Sequence, residues 1–186
     1  MRTSLKGPGA ACAVALSSVL AALPGAVAAH ASGPRPSSRC ETDIARAVAA
    51  QLQRAPAGRP TSPDTLSYDN GAEVITFRPP SCGAARRNTA HDCDEDGVPD
   101  NAVCLYDRRA FEGSRQAIKV TGTRKLNGSI VIMSIKNDRP FIFLVKRTPT
   151  DRGTCFSPGE GYGDTDQVAG QRWVNAHPGL RGCGDL

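Results

Sequence analysis

Seven cysteines stand in 186 residues, at positions 12, 40, 82, 93, 104, 155 and 183. So many in a chain this short imply a disulfide framework, a metal site or redox chemistry. The spacings narrow the choice. No C-x-x-C occurs, which removes a thioredoxin-type pair and a zinc ribbon.

The N-terminus supplies the compartment. Arg2 and Lys6 precede an uncharged, mostly apolar run from Ala10 to Leu23, 14 residues long. A bilayer-spanning helix needs about 20. Two small-x-small sites follow, Ala26-Val27-Ala28 and Ala29-His30-Ala31. Residues 1–31 therefore read as a signal peptide, and the chain as secreted and extracellular with no membrane partner. Removing 31 residues from 186 leaves 155, and Cys12 leaves with the signal, so six cysteines remain. In an exported chain six favour disulfides. They allow fifteen pairings, among which sequence alone does not choose. Pairing of neighbours is the expectation: Cys40–Cys82, Cys93–Cys104 and Cys155–Cys183.

Two functional classes are poorly served. The mature chain keeps 21 of its 23 cations against 18 carboxylates, a net charge of +3. Its basic pairs, Arg86-Arg87 and Arg108-Arg109, are isolated, and no basic stripe with interleaved aromatics points to nucleic acid. The mature histidines are His91 and His177, with no H-E-x-x-H, no G-x-S-x-G and no glycine-rich phosphate loop. No catalytic constellation is visible, so the chain is not read as an enzyme.

The expected organisation has three parts. After the signal peptide, residues 32–64 hold a short helix and a Pro-rich linker. Ser38 and Glu41 have capping-box spacing. Ile44, Val48 and Leu52 form one apolar stripe, and Pro56 ends the helix. Residues 65–186 form a β domain. Leu66 to Tyr68 and Ala72 to Phe77 flank Asp69-Asn70-Gly71, a hairpin signal. Further short runs follow at 103–106, 116–120, 129–136, 141–146, 154–157 and 171–174, separated by Gly, Pro, Asn and Asp. The fold class is all-β, a sandwich or barrel.

Tyr106-Asp107-Arg108-Arg109-Ala110-Phe111-Glu112-Gly113 places an aromatic six residues before a glycine, with Phe111 between them. That spacing resembles the Greek-key signature of the βγ-crystallin fold: Tyr106 covers a folded-back hairpin and Gly113 supplies its backbone angle. Val103-Cys104-Leu105-Tyr106, Leu66 to Gly71 and Val74 to Pro79 resemble secreted bacterial peptidase inhibitors with a βγ-crystallin-like domain. Cys155-Phe156-Ser157-Pro158-Gly159 is similar to a strand in that family's second half. The resemblance implies a Greek-key sandwich acting as a peptidase inhibitor on an extracellular peptidase. The candidate binding loop is the segment from Cys82 to Cys104. The chain also departs from the family. Asn137-Asp138-Arg139-Pro140 is followed by Phe141-Ile142, where the family's calcium stretch has a hydroxyl. Lys146 stands where an aromatic should precede Gly153, so the second Greek key is expected to be degenerate.

One acidic segment points to a cation. Asp92, Asp94, Asp96 and Asp100, with the Val98 carbonyl, fall at positions 1, 3, 5, 9 and 7 of a calcium-type loop. Position 12 is Val103, so the loop is no complete EF-hand. Calcium is the cofactor this segment would take, with affinity of about millimolar. The rival reading of the whole chain is a non-inhibitory extracellular calcium-binding or structural β module.

Overall fold

The computed structural model describes residues 37–83, 93, 101–128, 130–165, 168 and 170–186. Its helix, α1, spans Ser38–Arg54. The cap lies one residue earlier than the capping box expected. Ser37 is extended, its hydroxyl accepts from Cys40 N at 3.2 Å, and its carbonyl accepts from Glu41 N. Ser38 is thus the first helical residue, while Glu41 still sits in the first turn, where negative charge is favoured.

Eleven strands follow among the described residues. They are β1 Arg59–Ser62, β2 Thr65–Tyr68, β3 Glu73–Thr76, β4 Val103–Tyr106, β5 Arg115–Ile118 and β6 Gly122–Lys125. Then come β7 Ser134–Asn137, β8 Phe143–Lys146, β9 Thr154–Phe156, β10 Gly161–Tyr162 and β11 Trp173–Ala176. Two antiparallel sheets result. Seven strands run in the order β1-β2-β3-β5-β4-β7-β10, and four in the order β6-β11-β8-β9. The all-β expectation holds, together with the expected N-terminal helix.

Two successive four-strand units, β4 to β7 and β8 to β11, are interlocked. β6 leaves its own unit to pair with β11, and β10 leaves its own to pair with β7. Each unit gives its third strand to the other's sheet. The sheets close over a common core of Val103, Leu105, Ile118, Ile135, Phe143, Val145, Phe156, Val174 and Ala176. Burying each of the larger aliphatic side chains stabilises by about 1.5–3 kcal/mol.

Register shows what covers the rest of the seven-stranded sheet. Leu66, Ile75, Gln116, Leu105 and Ile135 form one cross-strand row and so share one face. At one end of that row Leu66 and Ile75 pack on Ala47, Val48 and Leu52 of α1. At the other end Leu105 and Ile135 pack on the four-stranded sheet. The helix and the second sheet therefore share a face, with a seam between them.

Polar groups fill that seam. The Glu73 carboxylate is fully buried, and Gln116 Nε2 donates to it at 2.6 Å, Gly128 N at 2.8 Å, and Asn127 Nδ2 and N at 3.0 and 3.2 Å. Gln51 of α1 donates to Asn127 O and to Tyr68 Oη. The loop after β6 is thereby fastened to helix and sheet together. Three disulfides complete the frame, joining sequence neighbours: Cys40–Cys82, Cys93–Cys104 and Cys155–Cys183.

Candidate functional site

The stretch Tyr106 to Gly113 forms a folded hairpin between β4 and β5. Asp107 N donates to Ser114 O at 3.1 Å, and Ser114 N donates to Asp107 Oδ1 at 2.7 Å. Ala110 and Phe111 take φ of 56° and 62°, left-handed values that favour a tight reversal. Gly113 has φ +85°, and a Cβ there would lie 2.0 Å from Asp107 Oδ1. The Tyr106 and Phe111 rings meet edge-to-face at 5.8 Å. Lys136 Nζ stands 4.9 Å from the Phe111 ring centre, within cation–π range. Burial raises the Asp107 carboxyl above its ordinary value, against the lowering effect of its Ser114 bonds.

Ser134 locks this hairpin, and sequence reasoning passed it over. Its Oγ accepts from Phe111 N at 3.0 Å and donates to Arg108 O at 2.6 Å. It is fully buried and lies directly opposite Tyr106. A hydroxyl within an otherwise apolar run, Ile132 to Ile135, was the available signal.

The second unit repeats the arrangement with a different lid. Gly153 has φ +78°, and a Cβ there would lie 2.6 Å from Lys146 Cγ and 2.7 Å from Val145 O. The aliphatic stem of Lys146 covers this glycine, and its Nζ donates to Pro149 O at 2.8 Å. Met133 N donates to Tyr106 O in the first unit, and Arg172 N to Lys146 O in the second. The backbone plan is shared; the place of the aromatic is taken by a buried lysine whose stem covers the glycine.

The turn after β7 is held by Asn137, whose Nδ2 lies 3.0 to 3.1 Å from the carbonyls of Phe141, Phe156 and Ser157. The Arg139 guanidinium sits 4.5 Å from the Phe141 ring centre and donates to Val120 O at 2.5 Å. Burial lowers its pKa. The ring at position 141 thus serves the chain's own cation.

The candidate loop is fastened at both margins. Cys82 is tied to α1 through Cys40, and the buried Cys93 is tied to the centre of β4 through Cys104. Arg115 donates to Cys93 O. Asp92, Asp94, Asp96, Val98 and Asp100 lie outside the described residues, as do His91 and the signal segment 1–31. Among the described residues no group of three acids, histidines or cysteines could hold a metal ion.

A cleft of about 400 Å³ opens where β9 and β10 adjoin, lined by Phe156, Tyr162, Asp164 and Thr165 among others. Asp164 is paired with Arg109 at 3.3 Å. His177 Nε2 meets Asn175 Nδ2 at 2.8 Å, a local contact between β11 and the turn that follows it.

Among the described residues no helix is long and apolar enough to cross a membrane. No family model, curated protein or solved structure matches the chain.

Proposed function

We propose that the chain is a secreted inhibitor of extracellular peptidases, built on a βγ-crystallin-like pair of Greek keys. The interlocking of β6 and β10 supports that frame, as do the two glycine-closed hairpins at Gly113 and Gly153. The three disulfides fit an oxidising, extracellular setting. The second unit, with Lys146 in place of an aromatic, is the degenerate one.

One observation carries the inhibitory reading. The segment from Cys82 to Cys104 begins at one disulfide and ends at another, and both are anchored on the same seven-stranded sheet or the helix packed on it. Fixing both margins of a loop reduces the entropy lost when a protease cleft orders it. The folded hairpin at residues 109–111 is a poorer candidate, because its left-handed backbone does not match the extended form of a bound substrate.

The test is stoichiometric titration of the mature, oxidised protein against extracellular serine peptidases and metallopeptidases. Inhibition at micromolar protein is expected, with any slow cleavage mapping between residues 83 and 104. Absence of inhibition across both classes would overturn the reading and favour a non-inhibitory structural module.

A further inference from the structure

The outer face of the four-stranded sheet carries chemistry that neither the core nor the loop uses. Val174 and Ala176 face the core, so alternation turns Trp173 and Asn175 outward. Trp173 lies in register between Lys125 and Lys146, and Asn175 between Thr123 and Leu144. On the β8–β9 side this face is covered: Leu144 is buried, and Cys155 is bonded to Cys183 of the C-terminal turn. On the β6 side it is open, with Thr123 and Lys125 exposed.

The indole is half-buried. Trp173 is the chain's one tryptophan, and it belongs to none of the three buried clusters. The charge on the hairpin that follows β8 is mostly positive. Arg147 and Arg152 are exposed on the hairpin that starts at Lys146. Asp151, the one acid between residues 143 and 156, has its carboxylate engaged by Thr148 N at 3.1 Å.

We propose that this open half-face docks an anionic polysaccharide. A sugar ring presents C–H groups that stack on an indole, and Trp173 stands on the sheet's outer face. Asn175 and Thr123, two residues along their strands, stand about 7 Å away, where they meet ring hydroxyls. Lys125, Arg147 and Arg152 meet the carboxylates or sulfates carried by such a chain. Single-stranded nucleic acid is served less well, because its binding platforms stack several bases on several aromatics, and this face has one.

Trp173 makes the test direct, since all indole fluorescence comes from it. The oxidised full chain is titrated with polygalacturonate, heparin, neutral dextran and single-stranded DNA. The proposal expects a fluorescence change with the first two, weakened by salt, and none with dextran. Lys125→Glu with Arg152→Glu touches only exposed side chains and should reduce binding about tenfold. Trp173→Phe removes the fluorophore, so its binding is read by calorimetry beside the unsubstituted protein; it should reduce binding further, with folding checked by its far-ultraviolet spectrum. No response to either anionic polymer, equal binding of dextran, tighter binding of DNA, or an unaffected charge-reversed variant would each overturn the proposal.

Discussion

Glu73 is the residue whose replacement most sharply tests the account of the seam between α1 and the second sheet. Its carboxylate takes four donors, two on each oxygen: Gln116 Nε2 and Gly128 N on Oε1, and both nitrogens of Asn127 on Oε2. Glu73→Gln keeps the shape and replaces one acceptor oxygen by a donor. If the new amide faces Asn127, two donors confront a third. If it faces Gln116, the Gln116 amide can turn its unpartnered Oε1 toward it, but Gly128 N is then left without an acceptor. Either way a buried donor is orphaned at about 1–3 kcal/mol, and charge-assisted bonds are weakened as well. The expected loss is about 3 kcal/mol. Glu73→Leu orphans all four donors and should cost about 5 kcal/mol, comparable to breaking a buried ion pair. For a chain of this size each kcal/mol lowers Tm by about 2–4 °C. Thermal melts with disulfides intact should therefore show Glu73→Gln melting about 10 °C lower. Hydrogen exchange should show Gly128 N losing protection before the strands do. A shift under about 2 °C with Gly128 still protected would refute the claim that this carboxylate holds the seam.

Other outcomes follow from the hairpins and bridges. Gly113→Ala forces a Cβ against Asp107 Oδ1 at φ +85° and should cost about 2–3 kcal/mol in a urea titration. Ser134→Ala removes the hydroxyl that serves Phe111 N and Arg108 O, and should cost about 1–3 kcal/mol, read as a lowered urea midpoint. Replacing Cys155 and Cys183 by serine opens a bridge of sequence separation 28 and should cost about 3–4 kcal/mol by the chain-entropy relation, seen as a lower Tm. Asp107 has its carboxyl raised above 3.8 by burial, so the native state binds this proton more readily than the unfolded chain does. Its contribution is complete below pH 3.8 and fades as pH rises through the raised value. Asp107→Asn keeps an acceptor for Ser114 N, so its Tm relative to the unsubstituted protein should climb from pH 3 toward neutrality; a constant difference would contradict the burial argument.

Much of the β architecture was legible because interior strands carry apolar runs. Val103 to Tyr106 and Phe143 to Lys146 are buried throughout and were visible as such. The unseen strands β1, β6 and β10 are all sheet edges. Arg59-Pro60-Thr61-Ser62 and Gly122-Thr123-Arg124-Lys125 face water along most of their length, and Gly161-Tyr162 is two residues long. Polar, short edges guard against unwanted pairing and leave no periodicity to read. The Tyr106–Gly113 hairpin was legible because its glycine and aromatics act locally. Ser134 and Glu73 were not, because their partners lie 23 to 55 residues away. The placement of Trp173 between two lysines depends on strand register, which no local pattern discloses.

The interlocked third strands have a consequence for assembly. Neither four-strand unit is self-sufficient: β4, β5 and β7 lack an edge without β10, and β8, β9 and β11 lack one without β6. A chain nicked between Asp138 and Phe141 would yield two halves that recognise each other through strands rather than surfaces. Co-refolding should restore the native protein where each half alone collapses. The same geometry lets the β10 of one copy complete the sheet of another, so refolding at high concentration should produce intertwined dimers that dilution releases only through unfolding.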